Sequence, residues 1–414
     1  MSIPDGFKVS EVGVIPEDWD VKRLGDIADV KTGPFGSSLH EKDYVDDGTP
    51  IITVEHLSDK GVVHKNLPMV SDYDKNRLSS YILKTGDIVF SRVGSVDRNS
   101  LIRNLEDGWL FSSRLLRIRI NNKNIAPAYL SYHFLQESTK QRIRSVAVGQ
   151  TMASLNTAIL KGIEITLPPL AEQKAIAQSL SDVDNLITAI DKLITKKRNI
   201  KQGTMQELLT GKKRLPGFSG EWEVKTFKDV SFVNQGLQIA IEQRLKQPLP
   251  NSKKYITIQF LNNGKDIEYI NDYSSSVCCN EDDVLMTRTG NTGIVVSGVS
   301  GVFHNNFFKI NFDRKILDKN YLIAYLRLDK TQKIILAKAG TSTIPDLNHN
   351  DFYSIFIHLP SLTEQKAIAK ILTEMDEEIE ALEKKREKYK NIKQGMMQQL
   401  LTGKTRLKIN LEDR

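Results

Sequence analysis

The sequence predicts an α+β protein: two similar α/β modules joined and spaced by two long antiparallel coiled-coil helices, pseudo-twofold and cyclic. Three observations predict it. Leu167–Lys212 and Leu359–Lys404 align without a gap, 192 residues apart, with 27 of 46 positions identical. That spacing is too long for a solenoid repeat, whose period is about 20–50 residues, and fits two copies of a whole module. Inside both segments apolar residues step by four and three, the seam of a helix packed on a helix. The segment that follows the first copy resembles the chain's own beginning, so the order of elements is cyclic.

Each module opens on a tryptophan. Trp19 in EDWDVKRLGDIADV aligns with Trp222 in GEWEVKTFKDVSFV. Short runs rich in Val, Ile, Leu and Phe follow, at Asp87–Arg92, Arg114–Ile120, Asp283–Arg288 and Phe303–Phe312. Turn-forming clusters such as Asp46-Asp47-Gly48 and Asn262-Asn263-Gly264 punctuate them, so they read as strands. Tyr129–Arg144 and Tyr321–Ala337 have helical spacing.

In the first repeated segment the apolar seam is Ile176, Leu180, Val183, Ile187, Ile190 and Ile194. In the second it is Ile368, Leu372, Met375, Ile379 and Leu382. Leu-Pro before Ala171 and Thr363 marks each start, and Gly211 and Gly403 suit each stop. About 36 residues at ~1.5 Å give ~54 Å, the rise of about 16 base pairs. Periodicity alone fits a dimerisation coiled coil as well as a spacer. Duplication of the flanking modules favours the spacer.

A chain of 414 residues exceeds the size of a single core. Its 40% hydrophobic and 26% charged content is that of a globular protein. A net charge of +7 permits a nucleic-acid partner without requiring one. Cys278 and Cys279 are adjacent, which suits neither an ordinary disulfide nor a closed zinc site. The N-terminus lacks the regions of a signal peptide, and no apolar run approaches ~20 residues. A cytoplasmic location is expected.

Catalytic signatures are wanting. The single Pro-Pro, in Leu167-Pro168-Pro169-Leu170, lacks the amide and the aromatic ring of an adenine methyltransferase. Gly403-Lys404-Thr405 ends like a phosphate loop, but Gln398 stands where its first glycine is needed. Pro345-Asp346 and Glu383-Lys384-Lys385 lie too far apart in sequence to suggest a metal nuclease, and no His pair has metal-ligand spacing. Neither an enzyme nor a metal or cofactor site is expected in this chain.

The modules do offer polar loops. Ser91, Arg92 and Gly94, with Arg98 beyond, match Thr287, Arg288 and Gly290, with Asn291 beyond. Arginine can reach guanine or phosphate, and glycine admits close backbone approach. Each strand-end arginine could instead pair with Asp87 or Asp283. Gln150 and Thr151 after Gly149, and Thr341 and Thr343 after Gly340, complete the candidate DNA-contacting set. These loops could equally be turns or caps. On the helices, Gln173 and Lys174 match Gln365 and Lys366. Equivalent surfaces would bind two copies of one partner.

The Leu-Pro-x-Leu-x-Glu-Gln-Lys-Ala-Ile-Ala motif at 167–177 and 359–369, and the Gln-Gly-x-Met-Gln-x-Leu-Leu-Thr-Gly-Lys tails at 202–212 and 394–404, resemble the specificity subunit of type I restriction-modification systems. The resemblance covers nearly the whole chain. It implies target recognition domains at 1–166 and 213–358, with conserved spacer helices at 167–212 and 359–414. It implies double-stranded DNA with a bipartite target as ligand. Modification (methyltransferase) subunits would dock on the helices, and restriction subunits would join for cleavage. It implies no catalysis in this chain, with S-adenosylmethionine, ATP and Mg belonging to those partners. The alternative is a coiled-coil scaffold that binds only protein.

Overall fold

In a computed structural model the described residues are 3–34, 39–149, 153–264, 267–341 and 344–407. The chain forms two compact units. One is Met1–Asp191 with Lys385–Arg414, and the other is Lys192–Lys384.

The first unit holds an antiparallel four-stranded sheet in the order Asn99–Leu101, Ile88–Ser91, Leu115–Ile120, Ala28–Thr32. A second sheet runs Leu110–Phe111, Thr49–Ile52, Met69–Val70, Tyr44–Val45. The other unit repeats the first of these sheets with Val295–Val296, Val284–Thr287, Phe307–Phe312 and Ser231–Gln235. Its second sheet pairs Lys253–Ile256 in parallel with Gly301–Phe303, as Thr49–Ile52 pairs with Leu110–Phe111. The edges differ. Cys278–Cys279 joins Gly301–Phe303, whereas Tyr44–Val45 joins Met69–Val70.

Two expectations are corrected. The helical stretches after Tyr129 and Tyr321 are each broken in two. Pro127–Leu135 gives way to Glu137–Val146 at Gln136, and Lys319–Arg327 to Asp329–Ala339 at Leu328. Both break residues are extended, with ψ of 133° and 131°. The change of direction lets Phe134 and Ile143, and likewise Leu326 and Ile335, all reach the core. The run Phe303–Phe312 is likewise two strands, because a turn at His304–Asn306 carries the chain from one sheet to the other.

The long helices are Leu170–Leu208 and Leu362–Leu400, 39 residues each, or about 58 Å. Each unit takes the start of one helix and the end of the other. In the first, Ile176 and Leu180 share a core with Leu400, Leu401, Trp19 and Tyr129. In the second, Ile368 and Leu372 share a core with Met205, Leu208, Phe227 and Tyr321. The helices therefore run antiparallel within each unit. A lysine–aspartate pair crosses between them at duplicated positions, Lys393 with Asp184 and Lys201 with Asp376. Of the apolar seam, Ile187, Ile190, Ile194 and Ile379 are buried as well.

The duplicated ends of the helices explain the duplicated tryptophans. Gly403 has φ +69°, a left-handed stop, and a β-carbon there would lie 2.4 Å from Pro16 and 3.2 Å from Trp19. Gly211, at φ +71°, packs on Trp222 in the same way. Three residues on, arginine returns to the start of the opposite helix. Arg406 donates to both oxygens of Glu172 at 2.7 Å and to both of Asp18 at 2.7–2.8 Å. Trp19 Nε1 donates to the same Glu172 at 3.2 Å. Arg214 repeats the fork on Glu364 at 2.6 and 2.7 Å. Both glutamates lie in the first helical turn, where the helix dipole favours a carboxylate. The C-terminal tail thus completes the first unit as the inter-module tail completes the second.

Candidate nucleic-acid interface

Each module ends its main sheet in the same set of loops, held by the same hydrogen bonds. The Ser91 hydroxyl donates to the Ser95 carbonyl and accepts from the Arg98 amide at 3.1 Å. The Thr287 hydroxyl donates to the Asn291 carbonyl and accepts from the Ile294 amide at 2.8 Å. The carbonyls of Arg92 and Arg288 accept from Leu155 and Leu347, both at 2.8 Å. The amides of Gly94 and Gly290 donate to Ala153 and Pro345 at 2.9 and 3.1 Å. Both glycines have φ +81° and open space where a β-carbon would stand. Two polar loops are therefore tied side by side at each sheet end, with a bare backbone at the tip.

This places the expected residues in different roles. Gly94, Gly290 and Asn291 are exposed on the loops, and Thr341 is exposed beside the second pair. Ser91 and Thr287 are fully buried, and their hydroxyls close the turn. Their place is behind the loop, not on its face. Arg92 is half-buried and donates to the Ser113 carbonyl at 3.2 Å. Arg98 is half-buried and donates to the Leu57 carbonyl. Gln150, Thr151 and Thr343 lie outside the described residues.

The suggested arginine–aspartate pairings are replaced by others. Asp87 is buried and held by Arg119 through two bonds of 2.6 and 2.7 Å. Arg288 pairs with Asp346 at 2.8 Å, not with Asp283, and lies over the Phe308 ring. It also donates to the Leu347 carbonyl at 3.2 Å, which binds the second loop to the first.

Sequence reading missed a third loop in each cluster. Gly33 and Gly236 end the equivalent strands, and a β-carbon at either would lie 2.1–2.3 Å from the backbone of Ser112, Phe303 or His304. The Arg92 amide donates to Arg114 and the Arg288 amide to Asn306. Thr32, Ser113 and Arg114 of one module thus correspond to Gln235, Asn305 and Asn306 of the other. The signal was present: the tryptophan alignment, continued three residues, matches Lys31-Thr32-Gly33 to Asn234-Gln235-Gly236.

Gln173 and Gln365 are a clear correction. Both are 1% exposed and cannot meet a partner. Gln173 accepts from the Ala126 amide at 2.9 Å and donates to the carbonyls of Pro168 and Asn124. Gln365 accepts from the Asp318 amide at 2.9 Å and donates to those of Pro360 and Ile316. Each fastens the module's helix start to the long helix. Lys174 and Lys366 beside them are exposed. Replacing Gln365 with Ala strands one donor and two acceptors, so a loss of about 2–3 kcal/mol is expected. Thermal melting of the full chain measures it. A melting temperature equal to wild type would remove the fastening role.

The sequence matches the profile of the type I restriction modification DNA specificity domain twice, over residues 16–202 and 219–391. It is 32% identical to a putative type I restriction enzyme specificity subunit, MjaX, of Methanocaldococcus jannaschii, covering 98% of this chain and 97% of that one. The MjaVIII specificity subunit of the same organism is 28% identical over the same shares. Among solved structures, the type I restriction-modification S subunit from M. genitalium superposes with a TM-score of 0.61 at 14% identity, over 97% of this chain and 98% of that one. A second, from a study of complex assembly and conformational transition of the type I R-M system, gives 0.57 at 15%, over 94% and 99%. No helix among the described residues is long and apolar enough to cross a membrane.

Proposed function

The chain belongs to the family of type I restriction-modification DNA specificity subunits, and from that membership we propose how its parts divide the work. Each module reads one half of a bipartite site in double-stranded DNA with the loops at the end of its main sheet. The observation that carries this reading is the loop scaffold itself. Its backbone and buried hydrogen bonds are duplicated, while its outward side chains differ between modules. A framework that holds geometry constant and varies surface chemistry suits two readers of unlike sequences.

The long helices set the distance between half-sites and dock two modification subunits, with Lys174 and Lys366 on the docking faces. Restriction subunits complete the assembly. The chain has no catalysis or cofactor of its own. S-adenosylmethionine, ATP and Mg belong to the partners. The tandem family match and the duplicated helix starts support this reading.

Binding of duplexes by the full chain, co-expressed with modification subunits, tests it. Arg92→Ala is expected to weaken binding by about 1–3 kcal/mol and to relax one half-site only. Arg288→Ala should relax the other half indirectly and also lower the melting temperature. The tie from Arg288 to Asp346 and the Leu347 carbonyl, which holds the two loops together, is lost, while Asp346 keeps only Thr289. Wild-type affinity and specificity in both variants would remove these arginines from recognition. An assembly with no affinity for any duplex would favour the protein-only scaffold.

A further inference from the structure

The two loop clusters differ in what they present, and the difference has a chemical meaning. Where the first module has Thr32, Ser113 and Arg114, the second has Gln235, Asn305 and Asn306, and Gln238 joins them. Gln235 and Gln238 are exposed. Asn305 Nδ2 donates to Gln238 Oε1 at 2.9 Å, and the Asn305 amide donates to the Leu237 carbonyl at 3.2 Å. The glutamine loop is thereby fixed to the turn that bears the two asparagines. The neighbouring guanidinium, Arg288, is engaged by Asp346, by the Leu347 carbonyl and by the Phe308 ring. The side chains at this tip with outward hydrogen-bonding capacity are therefore mainly carboxamides.

A carboxamide offers one donor group and one acceptor side by side. In the major groove adenine presents the complement, an N7 acceptor beside an N6 donor. Guanine presents two acceptors, which suit arginine or lysine instead. We propose that Gln238, positioned by Asn305 and flanked by Gln235, reads adenine in the half-site of the second module. The assignment rests on the loop reading given above. Asn305 is a positioning residue: its bond to Gln238 Oε1 fixes the amide plane and leaves the Nε2 protons and one Oε1 lone pair for the base.

The test is selection from a randomised duplex library by the full chain co-expressed with its modification subunits, followed by sequencing. Wild type should enrich adenine at one or two adjacent positions of one half-site. The double variant Gln235→Leu/Gln238→Leu should lose that preference about tenfold, with the other half-site intact. Gln238→Arg should move the preference at one position from adenine to guanine, a gain that misfolding cannot produce. If the double variant binds nothing, this second variant decides, and the absence of any switch overturns the assignment. Unchanged base preference in both variants overturns it too. Exchanging residues 223–359 for those of a relative separates the two levels. If the exchange alters one half-site while the glutamine variants alter nothing, the adenine assignment falls and the two-reader function stands. If the exchange alters neither half-site, the function falls with it.

Discussion

Arg406→Ala is expected to lower the melting temperature of the first unit by about 5–10 °C. Glu172 is 1% exposed, and among the described residues the variant leaves its carboxylate with only the Trp19 indole as side-chain partner. Breaking a buried pair costs about 3–5 kcal/mol, and the 40% exposure of Arg406 reduces this to roughly 2–3. For a unit of this size each kcal/mol shifts the transition by about 2–4 °C. The double variant Arg406→Ala/Glu172→Gln should recover part of the loss, since no buried charge is then stranded. Calorimetry on the full chain separates these outcomes, and an unaltered transition in the single variant would refute the clasp.

The same clasp has a pH signature. Hydrogen bonding to Arg406 holds the Asp18 carboxyl below its ordinary value of 3.8. A group depressed in the folded state contributes stability above that value and loses it as pH falls through the lower, folded one. The contribution of Asp18 should therefore persist at neutral pH and fade only in acid below about 4. It should be much reduced in Arg406→Ala, where only a backbone hydrogen bond and the Lys8 charge still lower the Asp18 carboxyl.

Lengthening both long helices by four residues should widen the gap between half-sites by about two base pairs, with both half-sites unchanged. Four residues add ~6 Å to a helix, and DNA rises ~3.4 Å per base pair. The insertions belong between Asp191 and Lys192 and between Lys384 and Lys385, where the chain passes from one unit to the other. Placed there, they spare Lys393–Asp184 in one unit and Lys201–Asp376 in the other. Mapping methylated bases in cells carrying the variant reads the spacing directly. A spacer of unchanged length would end the ruler interpretation.

The sequence alone determined what is written along single segments. The helices Leu170–Leu208 and Leu362–Leu400 follow from a four-three apolar step and a glycine stop, both local properties. The strands Ile88–Ser91 and Val284–Thr287 follow from short apolar runs, and the likeness of the modules from repetition within the chain. Only the tertiary structure decided which way polar side chains face. Gln173 and Lys174 are neighbours, yet a 100° step along the helix turns one into the module and the other to solvent. Arg288 had an aspartate near it in sequence and took Asp346, 58 residues away, because the second loop folds over the first. Gln238 and Asn305 meet across 67 residues for a similar reason. Backbone pattern is set by near neighbours and can be read directly. The partner of a charge or an amide is set by whichever distant segment packing brings within about 3 Å, and no local period encodes that.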